Sequence, residues 1–228
     1  MTETFFVGID GPAGSGKSSV SKEAARRLGF GYLDTGAVYR ALAWHVLETG
    51  GTTDDEAVVE AAFDTFEPSI GLDPDERAVR VGDVDVTDAI RTPETTAAVA
   101  GVARARRVRE RINELFRRIV SEAPQDGVIV EGRDITTVVA PDAPVRILLT
   151  ARPEVRAARR SAEMGAADVA KVAEAMRQRD ASDSTVVDFL NAADGVTAID
   201  TTHLDFDQSV DAVLAVIGER REDGRDGR

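Results

Sequence analysis

The eight residues Gly11-Pro12-Ala13-Gly14-Ser15-Gly16-Lys17-Ser18 constrain this chain more than any other segment. They fit the pattern G-x-x-x-x-G-K-[ST] and follow an apolar run, Phe5-Phe6-Val7-Gly8-Ile9-Asp10, that reads as a strand buried on both faces of a parallel sheet. Ser18 to Leu28 then reads as a helix, so the motif lies in the strand–loop–helix setting it requires. Glycines let successive backbone N–H groups curl round an anion, and a helix opening near Gly16 turns the positive end of its dipole toward the same point. Lys17 has the reach to meet the β and γ oxygens of a nucleoside triphosphate, and Ser18 supplies a hydroxyl for Mg²⁺. The competing reading is an ordinary glycine-rich turn with an exposed lysine.

Four more short apolar runs, Gly31 to Leu33, Val128 to Val130, Val145 to Leu149 and Ala198 to Asp200, alternate with segments of helical periodicity. That rhythm predicts an α/β fold, a three-layer arrangement whose five parallel strands present ligands at their carboxyl ends. Residues 52–101 break it. Asp54 to Phe66 reads as helix, and the alternating stretches Ala78-Val79-Arg80-Val81 and Val84-Asp85-Val86 flank turn signals at Asp73-Pro74-Asp75 and Gly82-Asp83. A small antiparallel insert is expected there. Residues 1–51, 102–150 and 188–218 form the expected core. Residues 151–187, two arginine-bearing helices joined by Met164 to Ala167, read as a lid. Residues 219–228 are charged, without an apolar face, and read as a disordered tail.

Composition narrows the chemistry. In 228 residues, 28 Lys and Arg against 41 Asp and Glu give a formal charge of −13, which opposes coating nucleic acid or an anionic membrane. With no Cys and only two His, His45 and His203, thiolate zinc sites, cysteine nucleophiles and histidine metal centres drop out. Catalysis must then use oxygen, lysine, arginine, or a metal held by carboxylates and hydroxyls. The N-terminus has no basic segment and no apolar run approaches the roughly 20 residues of a membrane span, so the chain reads as cytoplasmic. No partner protein is implied.

A triphosphate site does not choose between kinase, GTPase and motor. The guanine-reading N-K-x-D is absent from the sequence, and motors usually need more chain, which leaves a small phosphoryl-transfer enzyme with its own acceptor site. Thr35 is a plausible N-cap for a helix that places Tyr39 and Arg40 near the end of the second strand, for a base and a phosphate respectively. Arg104 to Arg118 contains seven Arg, with Val108, Ile112, Leu115, Phe116 and Ile119 as its buried stripe. At about 100° per residue, Arg104, Arg109 and Arg111 flank the stripe and can lean toward a cleft, while Arg106 and Arg117 face solvent. Arg133 can pair with phosphate, and Asp134 can accept from an exocyclic amine. For each of these side chains alone, a solvated surface role stays open.

Taken together, Ile9 to Ser18, Leu33-Asp34-Thr35-Gly36-Ala37-Val38-Tyr39-Arg40, Val130-Glu131-Gly132-Arg133-Asp134 and Pro141-Asp142-Ala143-Pro144-Val145 resemble bacterial cytidylate kinases, a P-loop nucleoside monophosphate kinase family. The resemblance runs from Val7 to about Ile217. It implies transfer of the γ-phosphoryl group of ATP to CMP or dCMP with Mg²⁺. It also implies a triphosphate site at Lys17 and Ser18, and lid arginines Arg156, Arg159 and Arg160 near the triphosphate. Thr35, Tyr39, Arg40, Arg109, Arg133 and Asp134 match acceptor-binding positions, and Arg179 with Asp183 resembles the pair directed at the acceptor sugar. Ala100, Thr136 and Val186 depart from the family's usual Ser, Gly and Arg. A kinase for UMP or a non-nucleotide acceptor, and a nucleotide-binding regulator with weakened catalysis, remain as alternatives on the residues alone.

Overall fold

A computed structural model describes residues 4–76, 78–165, 168–184 and 188–226, without the side chains of 179, 182, 183 and 223–226. The apolar run forms β1 (Phe5–Asp10), and the glycine-rich loop leads into α1 (Lys17–Leu28). Then come β2 (Gly31–Asp34), α2 (Thr35–Glu48) and α3 (Glu56–Phe63). Short strands β3 (Pro68–Ile70), β4 (Val79–Val81) and β5 (Val84–Asp85) precede α4 (Pro93–Arg104) and α5 (Arg106–Ser121). The chain continues through β6 (Gly127–Gly132), a π-helical turn at Ile135–Val139, β7 (Val145–Thr150), α6 (Pro153–Met164), α7 (Val169–Ser184), β8 (Thr197–Asp200) and α8 (Phe206–Asp226).

Among the described residues the strands make a five-stranded parallel sheet in the order β2-β6-β1-β7-β8 and a three-stranded antiparallel sheet β3-β4-β5. The α/β architecture and the antiparallel insert are those the sequence predicts. β3 is an addition, because its three residues begin with Pro68 and carry no alternating signal. β1 is central and flanked by β6 and β7, so both its faces are covered. Val7 and Ile9 are wholly buried with α1 and α8 on one side of the sheet, while Leu33, Val128 and Val130 pack with α2 and α5 on the other. Insert residues Val79, Val81, Val86 and Ile90 belong to the same apolar cluster as Val38, Leu42 and Val46 of α2. The insert therefore has its core in common with the acceptor-side helices.

Two sequence expectations are corrected here. The arginine-rich stretch is not one helix: Ala105 lies in extended backbone between α4 and α5, which turns Arg104 away from the register of Arg109. Residues expected to fray from 219 instead continue α8 to Asp226. Ile217 is buried, and the Arg221 guanidinium lies over the Phe5 and Phe30 rings, at 5.9 and 5.2 Å from their centroids. That cation–π contact anchors the last turns although the sequence there offers no apolar stripe. No helix among the described residues is long and apolar enough to cross a membrane.

Candidate active site

The loop between β1 and α1 depends on glycine at two places. A Cβ at Gly11 would stand 2.2 Å from the Leu149 carbonyl oxygen of β7. Gly14 has φ 72°, where a side chain is strained, and its Cβ would meet the Arg156 carbonyl at 2.7 Å. The loop is thus pressed between β7 and α6. α1 opens at Lys17 with Gly16 at its N-cap and no side-chain cap, leaving its first N–H groups directed into the loop.

Ser18, Lys17, Glu131 and Tyr32 meet at the ends of β1, β2 and β6. Ser18 Oγ donates to Glu131 Oε1 at 2.6 Å, and Tyr32 Oη donates to the same oxygen at 2.7 Å. Glu131 Oε2 is buried, accepts no hydrogen bond among the described residues, and lies 3.9 Å from Lys17 Nζ. Burial and the neighbouring Glu131 charge push the Tyr32 hydroxyl far above its ordinary range, so it stays a donor. A buried carboxylate oxygen lacking a hydrogen-bond partner, beside a serine hydroxyl, is an oxygen donor set that fits Mg²⁺. That ion commonly takes one or two carboxylates and completes its shell with phosphate and water. Glu131 was not singled out from the sequence; a lone acid at the end of the run Val128-Ile129-Val130 is the signal that could have found it.

On the acceptor side, Asp34 and not Thr35 caps α2: its carboxylate accepts from Ala37 N at 3.1 Å and from Arg40 Nη2 at 2.8 Å. The Thr35 hydroxyl donates to the Glu131 carbonyl at 2.7 Å, tying α2 to β6. Arg40 Nε is buried with no hydrogen-bond partner among the described residues. Arg109 Nη2 pairs with Asp134 Oδ2 at 3.2 Å, and Tyr39 stands against both, its ring 6.3 Å from that of Phe116. Burial raises the Asp134 carboxyl above its ordinary range, opposed by the Arg109 charge. Burial, with the Asp134 charge added, also raises the Tyr39 hydroxyl. Arg109 further lines a cavity of about 340 Å³ with Thr137, Asp188 and Asn191.

Behind this pair, Asp10 holds the π-helical turn. Its carboxylate accepts from Ile135 N at 2.9 Å, Thr136 N at 2.8 Å and Thr136 Oγ1 at 2.6 Å. The Thr that departs from the family's usual Gly thus donates twice to a buried carboxylate.

Arg133 donates to the Gly11 carbonyl at 3.2 Å and lies 4.3 Å over the Phe189 ring. From α6, Arg156 donates to the carbonyls of Ala13 at 2.9 Å and Ala151 at 3.2 Å. Arg159 bonds Ser15 O at 3.4 Å and, through Thr201 Oγ1, Thr201 O and Leu204 O, the segment after β8. Thus Arg156 and Arg159 flank the loop.

Not every predicted side chain arrives. Arg160 pairs with Glu163 at 3.1 Å and is about half exposed, because it lies on the outer face of α6. Arg104 pairs with Asp54, and Arg111 with Asp64 over the Phe63 ring, both outside the acceptor cluster. Arg117, expected in solvent, donates to the Val139 and Val138 carbonyls and closes the π-helical turn. The side chains of Arg179 and Asp183, and all of Val186, lie outside the described residues. Ala100 is half-buried near the end of α4.

The family model described as cytidylate kinase matches residues 7–219. Among curated relatives, the cytidylate kinase of Streptomyces avermitilis is 44% identical over 95% of this chain and 94% of its own length. That of Streptomyces coelicolor is 47% identical over 95% and 94%. A crystal structure of an uncharacterized protein from Eubacterium ventriosum superposes with a TM-score of 0.54 over 94% of this chain and 99% of that one, at 13% identity, which speaks to fold alone. Matched over nearly its whole length by the family model and by relatives more than 40% identical, the chain belongs to the cytidylate kinase family.

Proposed function

We propose that this cytidylate kinase moves the γ-phosphoryl group of ATP to CMP or dCMP in a site split between the glycine-rich loop and the Arg40–Arg109–Arg133 cluster. The observation that carries this reading is the division of charge along the sheet edge. Lys17, Arg156 and Arg159 border the loop, Arg40 and Arg109 stand on α2 and α5 paired with Asp34 and Asp134, and Arg133 at the end of β6 donates to the loop's Gly11 carbonyl, between the two groups.

The loop amides and Lys17 hold the β and γ phosphates. Ser18 and Glu131 are the residues that would hold Mg²⁺, which when bound neutralises charge shared by the β and γ oxygens. The acceptor phosphate is already anionic near neutral pH, so no strong base is required, and positioning with charge neutralisation lowers the barrier. Arg40, with its buried Nε, and Arg133 hold the acceptor phosphate in line. Asp134, paired with Arg109, accepts from the exocyclic amine of cytosine, and Tyr39 bounds the base. Uracil presents a carbonyl where cytosine presents that amine, so Asp134 repels it. α6 and α7 act as the lid that excludes water during transfer. In this reading Arg160 contributes to the lid surface.

A coupled assay over CMP, dCMP, UMP, AMP and shikimate tests the reading. CMP and dCMP should turn over fastest, with UMP at least about tenfold lower in kcat/KM. Equal use of UMP or shikimate would contradict it.

A further inference from the structure

Asp180 lies on α7, is 8% exposed, and is absent from the phosphate and acceptor assignments above. Its two oxygens divide between the two halves of the site. Oδ2 accepts from Arg156 Nη1 at 2.7 Å, while Oδ1 lies 3.4 Å from Arg133 Nη1 and 3.5 Å from the Ala13 backbone nitrogen. Each arginine also donates to a carbonyl of the loop, Arg156 to Ala13 and Arg133 to Gly11. Four segments therefore converge on one carboxylate: the loop, the turn after β6, the start of α6, and α7.

We propose that Asp180 is a positioning residue for phosphoryl transfer, setting the guanidinium groups of Arg133 and Arg156 against the loop from the lid side. The proposal rests on the reading that these arginines face phosphates. Two guanidinium groups sharing one site repel each other and are long enough to adopt many rotamers. A buried carboxylate with an oxygen for each offsets the repulsion and fixes both planes. Two arginines and one aspartate leave this trio at +1. Removing the negative charge raises it to +2, so ground-state attraction for phosphate is kept or strengthened while the alignment is lost. An interaction needed only for alignment shows in kcat, not in KM.

The test is steady-state kinetics on Asp180→Asn in the full chain with ATP, CMP and Mg²⁺. We expect kcat to fall about 10- to 100-fold, the range a misplacement of about 1 Å can cost. Both KM values should stay within about threefold. Asp180→Glu, which keeps the charge and displaces it, should lose less in kcat than Asp180→Asn. In an Arg133→Ala/Arg156→Ala background, Asp180→Asn should cost under about threefold more, because both groups it aims are gone. Wild-type turnover by Asp180→Asn overturns the proposal, as does a kcat loss matched by rises in both KM values and a lowered midpoint. If Arg133→Ala and Arg156→Ala each leave kcat unchanged, the phosphate assignment fails first. If they lower kcat while Asp180→Asn does not, only the positioning role fails.

Discussion

The Ser18 hydroxyl donates to Glu131 Oε1 at 2.6 Å, joining the first turn of α1 to a carboxylate at the end of β6, 113 residues later. Tyr32 Oη takes a second place on that oxygen, and Oε2 keeps a free lone pair beside Lys17 among the described residues. Glu131→Gln keeps the volume and removes the charge. It should raise the Mg²⁺ concentration for half-maximal activity by about 10- to 100-fold while the KM for CMP stays near its original value. A metal titration of initial rate checks this; an unchanged Mg²⁺ requirement would remove Glu131 from the metal site.

Lys17 is the loop's only cationic side chain, and its ammonium lies 3.9 Å from Glu131 Oε2; the proposed function sets it against developing charge on the transferred group. Lys17→Ala should lower kcat by about 10²- to 10³-fold, the cost of one donor lost from a preorganised electrostatic site, with an unchanged circular dichroism spectrum. Normal turnover by the folded variant would refute the role.

Asp134 and Arg109 form a partly buried pair at 3.2 Å on the acceptor side. Asp134→Ala should reduce kcat/KM for CMP about 10- to 100-fold, the size of one charged hydrogen bond, and narrow the difference between CMP and UMP. The KM for ATP should not move. Loss of ATP affinity together with CMP affinity would assign Asp134 to the framework and not to base recognition.

Much of this arrangement was legible because it is local in sequence. The loop, its strand and its helix lie within 24 residues, and Gly11 and Gly14 are each demanded by a backbone contact. What escaped depended on distant neighbours. Glu131 is one acid in an apolar strand, and only the crossing of β2 and α1 reveals that Tyr32 and Ser18 converge on it. Asp34 outcompeted Thr35 as the cap because its carboxylate also meets Arg40 six residues on, leaving the Thr35 hydroxyl for β6. Arg104 was misplaced because Ala105 ends a helix with neither Gly nor Pro to announce it, and Arg111, on the same helix as Arg109, is drawn to Asp64 and the Phe63 ring of the distant insert.

Asp10 gives the fold a pH dependence of definite sign. Burial pushes its carboxyl up from 3.8 to about 6, against the three hydrogen bonds from Ile135 and Thr136. Between about pH 4 and 6 the folded state therefore binds more protons at this group than the unfolded chain. Its contribution to stability falls as pH rises through that window, by up to about 3 kcal/mol. A carbon-detected NMR titration should place the Asp10 carboxyl midpoint near 6; an ordinary midpoint near 4 would contradict the burial account.

Gly101 marks where α4 presses on the segment before α3. A Cβ there would stand 2.2 Å from the Thr53 carbonyl oxygen and 2.6 Å from Thr53 Oγ1, itself in a buried residue. Gly101→Ala should cost about 1–3 kcal/mol and lower the thermal midpoint by several degrees. Calorimetry showing no loss would mean that the helix slides without penalty.

The most direct measurement is a crystal structure with a non-hydrolysable ATP analogue, Mg²⁺ and CMP bound together. The account predicts the polyphosphate inside the Gly11–Ser18 loop, the metal between Ser18 and Glu131, and the CMP phosphate within hydrogen-bond reach of Arg40 and Arg133, with the cytosine amine on Asp134. A polyphosphate outside the loop, or a CMP phosphate that touches neither arginine, would contradict it.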